Sequence, residues 1–206
     1  MLHYSQASQD IFYLTLLGYK KNGNFIEIGS NHPITHNNTY LAESTYNWRG
    51  IMVEYDTSFA PLYKIHRPNS IHILNDACKV DYLHILDTNG FPTTMDYLQI
   101  DLDVNNRSSL NVLELLNHTV FDKYTFAAVT FEHDIYTGNH FDTREKSRKI
   151  FSERGYQLLF PDVRVFWEGD HKPFEDWYVH PSLIKDLEYT NDSLNHTEII
   201  KRISSR

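Results

Sequence analysis

The strongest constraint in this sequence is a strand-like run of apolar, β-branched and aromatic residues that recurs five times, each time after a single helical stretch. The runs are 25–29, 50–54, 71–74, 97–101 and 126–131. Between them, 38–48, 58–67, 79–86 and 108–116 read as helices, and an amphipathic helix opens the chain over 9–17 with Ser8 as its N-cap. Strands joined by single helices run parallel, because each crossover returns the chain to the same edge, and a parallel sheet needs cover on both faces. The expected fold class is therefore α/β, a doubly wound, mostly parallel, Rossmann-like sheet. Past Thr143 the rhythm changes. A charged helix ends near Gly155, and 156–160, 163–167 and 177–179 are strand-like with short links, which predicts a closing antiparallel hairpin.

A chain of 206 residues with no linker-like stretch in its middle supports one core, so 1–189 reads as a single domain. From Thr190 onward Asn, Ser, His and Lys dominate, and 190–206 reads as a polar tail or a frayed helix. The net charge of −8 argues against nucleic acid as the main partner, since phosphate binding needs clustered Lys and Arg. Cys78 stands alone, which excludes an intramolecular disulfide and cysteine-held zinc and fits a reducing, cytoplasmic setting. The apolar run 11–18 is too short to span a bilayer, so no membrane partner is expected; a homodimer is left open.

Ligands of open parallel sheets bind outside the carboxyl ends of the strands. Every run here ends in, or is followed at once by, polar or acidic residues. Gly29 lets the chain turn sharply, and Glu54 follows 25 positions later, about where an acidic residue grips two ribose hydroxyls in dinucleotide-binding folds. Only one glycine stands where a phosphate-cradling loop has three, so a nucleoside without phosphates, such as S-adenosylmethionine, is favoured over NAD or ATP. Singly, Gly29 is an ordinary turn residue and Glu54 a solvated carboxylate; together they point to a site. Asp101 and Asp103 share a face if their strand persists, and converge on a cation or a substrate hydroxyl. An Asx turn ahead of the helix at Ser108 is the competing use of such residues, and the one expected of Asn105 and Asn106. His133, between Glu132 and Asp134 at a strand end, is the first candidate for general base. The aromatic residues of 166–181 either stack on a sugar or fill the edge of the core.

Three blocks carry a more specific signal: Tyr4-Ser5-Gln6 with Gln9-Asp10, Phe25-Ile26-Glu27-Ile28-Gly29-Ser30-Asn31 with Asn38-Thr39-Tyr40-Leu41, and Trp48-Arg49-Gly50-Ile51-Met52-Val53-Glu54. In this order they resemble FkbM-type S-adenosylmethionine-dependent methyltransferases, over roughly residues 4 to 160. The resemblance implies a class I methyltransferase fold and methyl transfer to hydroxyls of sugars or polyketide-type products. It places Glu27, Gly29, Ser30 and Asn31 along the methionine and ribose, Glu54 on the ribose hydroxyls, Asp76 and Ala77 beside the adenine, and Gln6 and Gln9 over the pocket. The chain departs from the family pattern where Asp101-Leu102-Asp103 runs into Val104-Asn105-Asn106, and again at Glu132-His133-Asp134.

The combined expectation is an S-adenosylmethionine-dependent O-methyltransferase acting on a small-molecule or glycan acceptor. His133 takes the hydroxyl proton. Asp101 orients the hydroxyl or, with Asp103 and Glu132, holds a magnesium or manganese ion that lowers its pKa. The rivals are a metal-dependent glycosyltransferase, which would use Asp101-Leu102-Asp103 under a nucleotide-sugar diphosphate, and a catalytically silent binding domain with the same fold.

Overall fold

A computed structural model describes residues 3–205, with the exception of 186, 188 and 189. Seven strands form one sheet in the order β3-β2-β1-β4-β5-β7-β6. They are β1 (Asn24–Ile28), β2 (Arg49–Glu54), β3 (Ile71–Leu74), β4 (Thr94–Ile100), β5 (Thr125–Glu132), β6 (Gln157–Trp167) and β7 (Asp170–Val179). The first five pair in parallel; β7 runs antiparallel to both β5 and β6. The expected doubly wound sheet with its closing hairpin is present.

Alternating side chains send two sets of residues to opposite faces. Ile26, Ile28, Leu98 and Ile100 pack under α4 (Tyr82–Thr88), α5 (Ser108–Thr119) and α6 (Phe141–Glu153). Phe25, Met52, Tyr97 and Trp177 pack under α1 (Gln9–Leu16), α2 (Tyr40–Tyr46), α3 (Ala60–His66) and α7 (His196–Ser204). Glu27 and Gln99 lie on this second face, opposite one another in the register of β1 and β4. Strand order reverses between β1 and β4, and the crevice opens there.

Three local expectations are corrected. Ser8 does not cap α1; it sits at φ 61° and its hydroxyl meets His196 Nδ1 at 3.1 Å. The stretches 156–160 and 163–167 belong to one strand, β6, which continues through Pro161 with register irregularities. Because β6 is the sheet's edge, the missing proline N–H interrupts no ladder on its outer side. The polar tail also holds structure: Asn195 and Glu198 form a reciprocal capping box, and Ile199 and Ile203 of α7 are buried in the core that includes Phe12 of α1. Two apolar positions at i and i+4 in a polar background are enough to dock a helix, each burial stabilising by about 1.5–3 kcal/mol. Among the described residues no helix is long and apolar enough to cross a membrane.

Candidate active site

The crevice is a cleft of about 300 Å³ beyond the carboxyl ends of β1, β2 and β4. Of the residues expected around a cofactor, Gln6, Glu27, Gly29, Asn31, Glu54, Ala77 and Asp101 line it, whereas Gln9, Ser30 and Asp76 do not. No lysine or arginine is among its walls.

Gly29 makes the close approach on which the cleft depends. It adopts φ +82°, and a Cβ there would lie 1.8 Å from the backbone oxygen of Asp101, so only glycine lets the loops after β1 and β4 touch. The amides that follow are all engaged inside the protein. Gly29 and Ser30 N–H donate to Val53 O at 2.9 and 3.1 Å, Asn31 N–H to Glu54 Oε2 at 2.7 Å, and His32 N–H to Asn31 Oδ1 at 2.7 Å. No row of free amides remains to cradle a phosphate. Ser30 itself turns inward, its hydroxyl donating to Val53 O.

Glu54 is pinned at the tip of β2 by three backbone donors. Tyr55 and Asp56 N–H bond Oε1 at 2.8 and 2.9 Å, and Asn31 N–H bonds Oε2. The carboxylate keeps acceptor capacity on its cleft side and cannot swing away. The equivalent acid on β1 is used differently. Glu27 is buried; Asn38 N–H bonds its Oε1, while Asn37 Nδ2 and Thr39 Oγ1 bond its Oε2. Arg67, wholly buried, stands 3.7 Å away and is itself bonded to Glu43, Asn37 and Thr39. Burial pushes the Glu27 carboxyl up and Arg67 pulls it back. Glu27 therefore holds the turn before α2 in place as well as lining the cleft.

The opening block builds one wall. Asp10 accepts from Tyr4 N–H, Ser5 Oγ and Ile11 N–H, and so clamps the loop that presents Gln6 to the cleft. Gln9 points away: its Oε1 accepts from Ala7 N–H and its amide reaches the buried Glu175. Asp76 is a local cap, accepting from Cys78 N–H and pairing with Lys79. Ala77, next to it, faces the cleft.

At the floor, Gln99 is 2% exposed and its Oε1 has no partner. It escaped the sequence reading because it sits inside strand 97–101; a lone amide in an apolar parallel strand was the available signal. Asp101 lies partly buried beside it. Burial first, then the carboxylates of Asp134, Glu27 and Glu54, push its pKa up to about 7. Asp103 serves the competing use, its carboxylate accepting from Asn105 N–H and Asn106 Nδ2 at the Asx turn before α5.

His133 is not a cleft residue. It is 0% exposed, and its Nε2 points between β6 and β7, 3.4 Å from Asp162 and 3.5 Å from Asp176. These atoms lie within 4.8 Å of one another, close enough for a metal ion. Arg148 bonds both oxygens of Asp176, and Arg144 and Arg148 flank Asp162, so the two carboxylates are already neutralised. Burial disfavours charge on Asp176, yet these arginine bonds hold its carboxyl below the usual range. The cluster is an internal ion-pair network that ties α6 to the hairpin. Asp101, Asp103 and Glu132 form no ligand group among the described residues, and Glu132 pairs in register with Glu175 on β7.

Comparison with solved structures agrees with this topology. The TehB-like SAM-dependent methyltransferase of Corynebacterium glutamicum is similar at 9% identity and a TM-score of 0.51, over 84% of this chain and 87% of that one. Precorrin-6y C5,15-methyltransferase of Geobacter metallireducens is similar at 12% identity and 0.53, over 82% and 86%. The METTL16 MTase domain gives 9% and 0.54, over 81% and 63%. The fold is that of class I methyltransferases. No family model matches the sequence, and no curated protein does. On this class I scaffold, the acidic cleft lies at the switch between β1 and β4, where open α/β sheets take their ligands.

Proposed function

We propose that this chain is an S-adenosylmethionine-dependent O-methyltransferase of the FkbM type whose acceptor is a sugar hydroxyl. The observation that carries the cofactor is the pinned Glu54 carboxylate in a cleft whose neighbouring amides are all engaged. Such a site takes ribose hydroxyls and rejects a diphosphate. Asp101 and the absence of lysine and arginine from the wall suit the cationic sulfonium and ammonium groups of the ligand. Gln99 Oε1 offers a buried acceptor to the same end of the molecule. Ala77 leaves room for a flat base, and Tyr55, 79% exposed beside Glu54, offers it a ring face.

When bound, S-adenosylmethionine supplies a methyl group on a positively charged sulfur. The chain's own task is to align an acceptor oxygen with that methyl, exclude water and remove one proton. The sugar assignment rests on the antiparallel hairpin. Because β7 is antiparallel to β5, the β6–β7 tip projects past the carboxyl edge of the sheet, on the side where the cleft opens. It carries Phe166 and Trp167, 62% and 50% exposed, as stacking faces for a ring.

The test is a thermal-shift comparison of S-adenosylmethionine with UDP- and GDP-sugars plus manganese. A ligand at 100 times its Kd stabilises by about 2.7 kcal/mol, a rise of roughly 5–11 °C for a domain of this size. The rise is expected with S-adenosylmethionine alone. A rise with a nucleotide sugar and none with S-adenosylmethionine would establish the glycosyltransferase alternative. Methyl transfer to methyl glycosides is then the assay for the acceptor class, and binding with no transfer would favour a silent binding domain.

A further inference from the structure

The floor of the cleft holds an amide whose oxygen has nothing to bond. Among the described residues, five buried side-chain atoms have no hydrogen-bond partner: Gln99 Oε1, both ring nitrogens of His133, Asp134 Oδ1 and His140 Nε2. Of these four residues, Gln99 alone lines the cleft. A buried acceptor without a donor costs stability, and such atoms are rare in folded proteins. In a cleft wall, one marks the place that a ligand's donor completes.

The neighbours of Gln99 in the sheet show why its oxygen is left over. Glu27 lies opposite it on β1 and accepts from Asn38 N–H, Asn37 Nδ2 and Thr39 Oγ1. Thr130 lies opposite it on β5, and its hydroxyl is bonded to Tyr97 Oη at 2.7 Å. The other acids of the wall, Glu54, Asp101 and Asp103, are acceptors when ionised, as Gln99 Oε1 is. The missing donor is therefore the ligand's, and the acidic surroundings favour one that is positively charged.

The position of Gln99 relative to Glu54 says which part of the ligand that is. Glu27 pairs with Met52 on one side and Gln99 on the other, so Glu54 stands two strands across and two residues nearer the carboxyl edge. Strand spacing and rise put the two Cα atoms about 11–12 Å apart. In S-adenosylmethionine the ribose 3′-oxygen and the amine nitrogen are about eight bonds apart, roughly 10 Å when extended, and a hydrogen bond at each end adds about 3 Å. A ribose held by Glu54 thus brings the α-ammonium within reach of Gln99. The last torsion of a glutamine is broad, so the amide turns its oxygen to the ligand at little cost.

We propose that Gln99 is the specificity-determining residue for the amino-acid end of the cofactor. Its Oε1 accepts a hydrogen bond from the α-ammonium, and the cleft thereby selects adenosyl ligands that carry a free amine. This rests on the cofactor assignment above.

Calorimetry with S-adenosylhomocysteine, and with its analogue bearing hydrogen in place of the α-amine, tests it on the native chain and on Gln99→Met. The native chain should prefer S-adenosylhomocysteine by at least about tenfold, the worth of one charged hydrogen bond. Gln99→Met, which keeps the length of the side chain and removes its polar atoms, should bind the two ligands within about twofold of each other. Without ligand it should melt no lower than the native chain, because the unpaired oxygen is gone. A glutamine that serves only the fold would instead lower the melting temperature and leave the preference intact. Equal binding of the two ligands by the native chain, a preference that survives in Gln99→Met, or a variant that melts below the native chain or fails to fold would overturn this inference and leave the cofactor assignment standing. No binding of S-adenosylhomocysteine by the native chain would overturn both.

Discussion

Replacing Gly29 by alanine is expected to damage the fold and the cleft in one step. At φ +82° an L side chain is strained by about 1–2 kcal/mol. The added Cβ would also fall 1.8 Å from Asp101 O, well inside the 3.4 Å at which ordinary contact begins. The obstructing atom is backbone, so β1 and β4 must part at the cleft, an overpacking cost of about 1–3 kcal/mol more. The combined loss of roughly 2–5 kcal/mol lowers Tm by about 4–20 °C. Gly90→Ala is the internal control, since Gly90 has φ +64° and a Cβ added there would meet nothing within 4 Å, so this variant carries the backbone strain alone. Thermal melts of both variants, with S-adenosylmethionine calorimetry on each, separate the two contributions. Gly29→Ala should melt well below Gly90→Ala and lose the ligand. Equal melting temperatures, or unchanged binding by Gly29→Ala, would refute the close approach as the organising contact of the cleft.

The raised Asp101 pKa makes cofactor affinity pH-dependent. A cationic ligand binds the ionised form, so calorimetric affinity should fall toward tenfold per unit below about pH 7, and Asp101→Asn should flatten that slope. The folded pKa is above the unfolded one, so in the ligand-free protein the stability this group contributes is fully present below about pH 4 and is lost as pH rises through about 7. Arg67→Met leaves Glu27 and Glu43 buried without their shared cation, and should cost about 3–5 kcal/mol, read as a Tm drop of roughly 6–20 °C. Ile199→Ala should cost about 2–5 kcal/mol if α7 is part of the core, and nothing measurable if it is a frayed tail.

The parallel half of the fold was legible because each strand and helix announces itself locally. Glu27-x-Gly29 and Trp48-x-Gly50-x-x-x-Glu54 were legible for a sharper reason: their residues do separate mechanical jobs at fixed spacing. Trp48 anchors the start of β2 through its indole N–H on Lys20 O, Gly50 leaves room for Phe25, and Glu54 ends the strand at the cleft. His133 was misread because what decides its role is distant in sequence. Asp162 and Asp176 come from β6 and β7, and a strand-end histidine between two acids looks the same whether its ring faces a cleft or an ion-pair network. Gln99 was hidden by the apolar run around it. The tail was judged by its average polarity, whereas two isoleucines and a capping box dock the helix.

The most direct test of the central claim is calorimetry of S-adenosylmethionine with the native chain and with Glu54→Ala. Charged hydrogen bonds to the ribose hydroxyls contribute about 1.5–3 kcal/mol each, so the native chain should bind and the variant should bind at least about tenfold more weakly. Equal affinity in the two proteins, or no heat with either, would contradict the account.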